Sequence, residues 1–407
     1  MNEMALLLAL LVVSYVGSLL LSPAALRYGM PAGSQWLVLG FILGPHVLQL
    51  VPRGAIASFR PLAVVATAWV ALVLGAEYGY AGKRLLSPRA FVLGFLTALV
   101  SAGLVALAVY AVAVYVTGMA PEQARVVAAG LGLACCETAR HAVRWVVERG
   151  APSTRLLTLL EEITDTDEIV PLLGLAFLFA GVPASLALVP ISYAGWLGVT
   201  LLLGVVLGLT ATLLLSGLTE AAESWGVLLG AALLGTGIAW RLSISPLTAL
   251  FVMGICLSAG SRHGAALRPL LARTEPAVLL PTLLLCGVLL RFEGGATLWW
   301  ILAATLLART LVRGALGYLL ALATHAQPAQ RLPLGLGLSC TGAVSILVGL
   351  TFAFRFPGVV GEIVLTVAAC SAVLGDLLGP FGLRRALVPN LVPNLVPNDE
   401  PIAASAP

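Results

Sequence analysis

Residues 130–135 read GLGLAC and residues 335–340 read GLGLSC, so two stretches in opposite halves of the chain agree at five of six positions. Each runs into small and polar residues, CET at 136–138 after the first stretch and TG at 341–342 after the second. Inside an apolar helix, such residues are where the backbone can unwind, and the freed backbone groups then line a cavity. Tight helix packing through small residues is the alternative.

The composition around both stretches is that of a membrane protein. The 407 residues are 60% hydrophobic and 10% charged, with a mean hydropathy of +1.05, whereas ordinary soluble domains carry about 25% charged residues. The net charge of +4 comes without a basic run, which argues against a nucleic-acid partner. The six cysteines fall inside apolar segments without the spacing of metal ligands, so we expect free thiols and no cofactor.

Thirteen apolar segments approach the length of about 20 residues that a membrane-spanning helix needs. We therefore predict an all-α polytopic protein with about 13 transmembrane helices. The segments are residues 4–21, 34–51, 62–80, 90–116, 124–148, 156–179, 191–217, 225–240, 245–260, 275–291, 296–322, 333–355 and 359–380. The first of them has no basic residue ahead of it, so we expect it to be retained as a span and not removed as a signal peptide.

The basic residues set the orientation, because cytoplasmic loops carry an excess of Lys and Arg. One side of the predicted topology holds twelve of them, which are Arg27, Lys83, Arg84, Arg89, Arg149, Arg155, Arg262, Arg268, Arg273, Arg331, Arg384 and Arg385. The other side holds six, which are Arg53, Arg60, Arg125, Arg241, Arg291 and Arg355. We expect a multi-pass protein of the cell membrane with its N-terminus outside and its C-terminus in the cytoplasm.

The predicted order of the spans makes the two GLGL stretches an inverted repeat. They lie in the fifth and twelfth predicted spans, an odd number of helices apart, so they enter the membrane from opposite faces. The segment after the last span, residues 387–407, contains three LVPN repeats. Proline at every fourth position prevents a helix, so we expect a disordered cytoplasmic tail.

A second unusual stretch is LLEEITDTDEIVPLL at 159–173, which places five carboxylates within eight residues. A charge at membrane depth costs at least about 2.5 kcal/mol, so ionisable groups there indicate function. Glu161 and Glu162 fit a solvated helix start, whereas Asp167 and Glu168 run directly into an apolar helix. Two close carboxylates resist ionising together, and a carboxylate binds either a proton or a hard cation.

The chain resembles the cation/proton antiporter superfamily over about residues 1–386. Five motifs in the family's order carry the resemblance: GFILGP at 40–45, GAE at 75–77, SPLTALFVMGI at 245–255, ARTLVR at 308–313 and GDLLGPFGLRR at 375–385. The resemblance implies the sodium/proton antiporter fold, with two crossed, unwound helices in a core of about residues 90–179 and 296–380. It also implies a scaffold formed by the remaining helices, and a homodimer.

The resemblance also implies a site. The family's ion- and proton-binding pair on the sixth helix falls on Asp167 and Glu168, and a shift of register would bring in Asp165. The family's lysine on the eleventh helix falls on Arg313. The helix breaks and their charge compensation would involve Cys136, Glu137, Thr138, Cys340, Thr341 and Arg313. The only metal implied is the transported monovalent cation.

The sequence departs from the family pattern at the first break. Glu137-Thr138-Ala139 lacks the usual proline, and Arg140 and His141 follow where the family is mostly apolar. Glu137 could neutralise positive helix N-termini, form an ion pair with Arg140 or His141, or do both. Arg140 could instead pair permanently with a carboxylate of the sixth span and abolish cation binding. His141 could sense pH.

We expect structural roles for three further charged residues. Arg313 is expected to compensate the negative helix C-termini, because arginine cannot release a proton. Glu77 is expected at a helix end or in packing, and Asp376 in a structural role near the cytoplasmic end.

We therefore predict a secondary transporter that exchanges Na⁺ or K⁺ for protons by alternating access. A non-transporting membrane sensor or assembly subunit, and an organic-anion carrier, are the alternatives. An intramembrane enzyme is not expected, because no HExxH motif occurs and Val373 replaces the first glycine of a Gly-x-Gly-Asp motif at Asp376.

Overall fold

The computed structural model describes residues 12–13, 15–17, 33–51, 53–81, 88–148, 155–181, 191–216, 221–260 and 264–387. Within these residues the protein is helical and contains no strand, so the all-α prediction is confirmed. From residue 33 onward the helices are α1 Ser34–Leu43, α2 Arg53–Ala81, α3 Pro88–Tyr115, α4 Pro121–Ala134, α5 Arg140–Glu148, α6 Arg155–Thr164, α7 Ile169–Ala180, α8 Tyr193–Ser216, α9 Ala221–Leu242, α10 Pro246–Gly260, α11 Gly264–Leu289, α12 Gly295–Ala323, α13 Pro328–Gly337, α14 Ala343–Arg355 and α15 Val359–Leu387.

Six stretches of the described helices are long and apolar enough to cross a membrane. They are Ser58–Gly79, Pro88–Tyr115, Tyr193–Ser216, Ser224–Leu242, Gly295–Ala323 and Val359–Leu387. The helices α1, α10 and α14 are also apolar but shorter. The predicted first span falls mostly outside the described residues, so the number of thirteen spans stays a prediction. The LVPN tail also lies outside them.

Three predicted spans are each divided into two helices. The fifth span breaks between Ala134 and Arg140, and the twelfth between Gly337 and Ala343, as the GLGL repeat predicts. The sixth span, predicted as one helix, is interrupted by a turn at residues 165–168. That third interruption separates α6 from α7 and was not anticipated.

The unexpected turn has two causes in the sequence. The hydroxyl of Thr166 donates to the carbonyl oxygens of Glu162 and Ile163, at 3.1 and 3.0 Å. Such local side-chain bonds compete with the helical ladder. Pro171 has no N–H to donate to the carbonyl of Asp167, four residues earlier, so the ladder lacks a bond there.

The two predicted breaks lie against each other and run in opposite directions. The hydroxyl of Ser345 donates to the carbonyl of Ala134, and the N–H of Ala139 donates to the carbonyl of Cys340 at 3.2 Å. Along the first break from Ala134 to Ala139, the contacting residues of the second break therefore run backward from Ser345 to Cys340. This antiparallel meeting is the geometry of an inverted repeat.

Helix packing divides the described helices into two groups. Helices α3, α4, α12, α13, α14 and α15 pack on one another around the two breaks, with α5, α6 and α7 among them. Helix α2 packs against α10 and α11, α10 packs against α8, and α1 packs against α11. The roles of core for the first group and scaffold for the second stay predictions.

Candidate functional site

The carboxylate of Glu137 lies at the start of α14, across the crossing of the two breaks. Its Oε1 accepts a hydrogen bond from the N–H of Ser345 at 2.8 Å. Ser345 is the third residue of α14, so Glu137 satisfies an N–H that the helix leaves unpaired and faces the positive end of its dipole. A Cβ on Gly342 would lie 3.1 Å from the same oxygen, so glycine gives the carboxylate room.

The alternative ion pair of Glu137 with Arg140 or His141 is wrong. Helical spacing predicts that pair only if residues 137–141 form one helix, and α5 begins at Arg140. The Glu137 side chain consequently points to the other repeat, and Arg140 finds different partners.

The carboxylate of Asp167, in the turn between α6 and α7, contacts the start of α5 in the same way as the carboxylate of Glu137 contacts the start of α14. Its Oδ2 accepts from the N–H of Thr138 at 2.8 Å and lies 3.5 Å from Nη1 of Arg313. The residue is 0% exposed, and its Oδ1 has no hydrogen-bond donor among the described residues. Each half-helix N-terminus of the crossing therefore faces its own carboxylate. The second oxygen of each, Oε2 of Glu137 and Oδ1 of Asp167, has no donor among the described residues.

Arg140 holds the second carboxylate of the pair. Its Nε donates to Oε1 of Glu168 at 2.9 Å, and its Nη1 donates to Oε2 of Glu77 at 2.7 Å. Arg140 and Glu168 are both buried. The structure thus forms the pairing of Arg140 with a carboxylate of the sixth span that the sequence left open. Glu77 is not merely a helix-end or packing residue, because it reaches this cluster from α2.

Arg309 also lies at the crossing, although no role was predicted for it from the sequence. Its Nη2 donates to the backbone carbonyls of Glu137 at 3.2 Å and Cys340 at 3.0 Å. Its Nη1 donates to the hydroxyls of Thr341 at 2.7 Å and Ser371 at 3.0 Å. One guanidinium therefore donates hydrogen bonds to backbone carbonyls of both breaks, which is the role expected of Arg313.

Arg313 lies one turn beyond Arg309 on α12 and is equally buried. Its Nη1 donates to the Thr138 hydroxyl at 2.9 Å and faces Asp167. Arg313 therefore does not compensate the helix C-termini as expected. It contacts Thr138 and Asp167 instead. The signal that could have found Arg309 is its spacing of four residues from Arg313 at membrane depth.

The other predicted site residues differ in burial. Cys136 and Cys340 are buried, and the Sγ of Cys136 lies 3.1 Å from the carbonyl of Leu133. Asp165 and His141 are half-buried and take no part in the hydrogen bonds described above. All six cysteines are free thiols, as predicted.

The cluster formed by Glu77, Glu137, Arg140, Asp167, Glu168, Arg309 and Arg313 holds four carboxylates and three guanidinium groups. When all are ionised, it carries one excess negative charge. Asp376, buried on α15 beside Ser34 at the start of α1, adds another at its edge. An unbalanced charge in a buried site is costly, so the site favours a proton or a monovalent cation.

No protein-family model and no curated protein matches this chain by sequence. Among solved structures, the fold matches the sodium proton antiporter MjNhaP1 from Methanocaldococcus jannaschii at pH 8, with a TM-score of 0.70 and 14% identity, over 95% of this chain and 99% of that chain. It also matches an electron-microscopy structure of the same antiporter, with a TM-score of 0.65 and 15% identity, over 97% and 100% of the chains. The predicted sodium/proton antiporter fold is confirmed.

Proposed function

We propose that this chain, which has the fold of a sodium proton antiporter, exchanges a monovalent cation for protons across the membrane. One observation supports the proposal most directly. Asp167 is buried where two antiparallel helix breaks meet, and its Oδ1 has no donor among the described residues. That oxygen can take a proton or contact a cation without breaking an existing hydrogen bond.

The chemistry around Asp167 suits either ligand. Carboxylate and carbonyl oxygens are the ligands that hard cations prefer, and the unwound segments at 135–139 and 338–342 supply carbonyls. The excess negative charge of the cluster is neutralised by one proton or one monovalent cation, Na⁺ or K⁺. Exchange follows because a proton on the carboxylate removes the negative charge that attracts the cation.

The buried position of Asp167 requires alternating access. We propose that the helix group containing α3–α7 and α12–α15 moves relative to the group containing α1, α2 and α8–α11, which opens the cluster to one side at a time. As part of the same proposal, the protein works as a homodimer in the cell membrane, with its C-terminus in the cytoplasm.

A second candidate, a non-transporting membrane protein on this fold, is favoured by Arg140. Its guanidinium already neutralises Glu168 and also holds Glu77. A resident cation of this kind could keep the cluster closed to an external one. The two candidates differ in whether the uncompensated oxygen of Asp167 suffices for exchange.

The test reconstitutes the full chain into proteoliposomes with a pH-sensitive dye inside. A Na⁺ or K⁺ gradient should move protons in the wild type, and Asp167→Asn should reduce this flux to background. Asp165→Asn, in the same acidic stretch but half-buried, is the matched control and should retain exchange. Size-exclusion profiles in detergent check that both variants fold.

Two results would change the assignment. Unchanged exchange in Asp167→Asn, in Glu168→Gln and in the double variant would move the site to Asp165. No proton movement in the wild type with any alkali cation, across neutral and mildly alkaline pH, would favour the non-transporting candidate.

A further inference from the structure

A cavity of about 340 Å³ lies away from the ion cluster, between helices of the two groups. Its lining includes three arginines, Arg60, Arg241 and Arg355, and no carboxylate among the described residues. All three belong to the side of the membrane predicted to face outward. This volume is in the range of small-ligand pockets, and the charge of its wall selects an anion.

Aromatic rings cover the faces of two of the guanidinium groups. The Arg60 guanidinium lies 4.9 Å from the Trp240 ring centroid and 5.3 Å from that of Phe354. The Arg355 guanidinium lies 5.8 Å from the Phe179 ring centroid. Stacking occupies the face of a guanidinium and leaves its N–H groups in the plane of the fork, where carboxylate and phosphate oxygens bind.

The hydrogen bonds of Arg60 indicate the same kind of ligand. Its Nη2 donates to the carbonyl of Phe354 near the end of α14, whereas its Nε is buried and has no acceptor among the described residues. A buried donor without an acceptor is unfavourable, and an oxyanion supplies the missing acceptor. It also offsets the repulsion among three like charges.

We propose that the cavity lined by Arg60, Arg241 and Arg355 binds an oxyanion, namely a phosphate group carried either by a free anion or by a lipid headgroup. Arg241 is exposed and forms the accessible side of the site. Arg60 on α2 and Arg355 on α14 form the half-buried part, and the Nε of Arg60 supplies the unpaired donor.

The test uses the full-length protein in a neutral detergent, with inorganic phosphate as the probe and chloride at equal ionic strength as the reference. A ligand that binds only the folded state raises the midpoint of thermal unfolding. We expect a saturable rise for the wild type. For the double variant Arg60→Gln, Arg355→Gln, the half-maximal phosphate concentration should be at least about tenfold higher.

Two further variants make the result specific. Arg125→Gln removes an exposed arginine outside the cavity and should leave the phosphate response unchanged. Arg60→Lys with Arg355→Lys keeps the charge and removes the planar fork, so a weakened response there supports the site even where the glutamine variant fails to fold.

Nanodiscs of phosphatidylcholine, with and without phosphatidylglycerol, separate the two sources of phosphate. Arginine-dependent stabilisation by inorganic phosphate indicates a free anion. The same dependence seen only with phosphatidylglycerol indicates a lipid headgroup. Stabilisation by neither probe, or stabilisation unaffected by the double variants, overturns the proposal and leaves three interface arginines that extend to water.

The cavity has a consequence that rests on the proposed function. Arg60 and Arg241 belong to α2 and α9, whereas Arg355 belongs to α14 of the other helix group. A bound oxyanion would bridge the two groups and slow their relative movement, so phosphate should lower the exchange rate. Binding is measured without transport, so failure of exchange and failure of the site are distinguishable.

Discussion

Arg140 is the residue on which the two candidate functions diverge. Its two ion pairs make it an internal cation, held by carboxylates from α2 and from the turn between α6 and α7. If exchange occurs, Arg140 either remains in place while Asp167 alone changes ligands, or releases Glu168 during the cycle. Both routes keep the guanidinium as a competitor of the transported ion.

Arg140→Gln should therefore create a cation-dependent protein. Removing one partner of a buried ion pair costs roughly 3–5 kcal/mol, because the other charges are left uncompensated. We expect a lower midpoint of thermal unfolding, partly restored by Na⁺ or K⁺ but not by choline at equal ionic strength. Arg144→Gln, exposed on the same helix, is the control. Equal responses to choline and alkali cations would contradict this assignment.

Arg309 and Arg313 form a matched pair on one helix. Both are buried, but Arg309 donates three hydrogen bonds to the two breaks and a fourth to Ser371 on α15, whereas Arg313 donates one and faces a carboxylate. Arg309→Ala should lose several charge-assisted hydrogen bonds of roughly 1.5–3 kcal/mol each and destabilise the fold. Arg313→Lys should fold and change the cation or pH dependence of exchange. A fully stable Arg309→Ala variant would refute its structural role.

At the scale of elements, the sequence predicts the breaks in the fifth and twelfth spans. Both fall in stretches of small and polar residues, and the apolar sequence continues on either side of each stretch. The break between α6 and α7 was not predicted, because its acidic run also fits a continuous helix stripe. The decisive features were Thr166, whose hydroxyl turns back on the helix, and Pro171, whose missing N–H falls opposite Asp167.

The close contact of α12 with α13 leads to a prediction at this scale. A Cβ on Gly335 would lie 2.5 Å from the carbonyl oxygen of Gly314, which is too close for any real contact. Gly335→Ala should push α13 away from α12, cost roughly 1–3 kcal/mol and weaken exchange.

Gly314→Ala is the control, because a Cβ at that position meets nothing within 4 Å. We expect it to be neutral or stabilising by up to about 1 kcal/mol, since alanine favours a helix over glycine. Equal unfolding midpoints for the two variants would show that the contact is not tight in the membrane.

At the scale of the whole molecule, the antiparallel crossing requires α4 and α13 to begin on opposite sides of the membrane. Glu122 and Ala329 lie at these two starts and are exposed. In intact cells, an impermeant maleimide should label Glu122→Cys, and it should label Ala329→Cys only after permeabilisation. The wild type, with its six free thiols, measures the background. The reverse pattern would invert the predicted orientation.

The candidate site could be predicted only in part. Asp167 and Glu168 stand out because charge is costly in an apolar sequence, and this signal is local. The contact of Glu77 with Arg140 and of Arg309 with both breaks depends on which distant helices pack together. Composition and spacing do not encode that choice, so these partners required the structure.

The order in which the charged helices leave the ribosome gives the cluster a consequence for biogenesis. An arginine at the centre of a spanning helix adds about 2.5–3.5 kcal/mol to its insertion free energy. Glu77 is synthesised before Arg140, and Glu168 follows within the next span, so this arginine can pair while the first repeat inserts. Arg309 and Arg313 follow much later, and in the folded protein they donate to Glu137 and Thr138. We therefore expect the helix that contains Arg309 and Arg313 to insert more readily once the first break is in place.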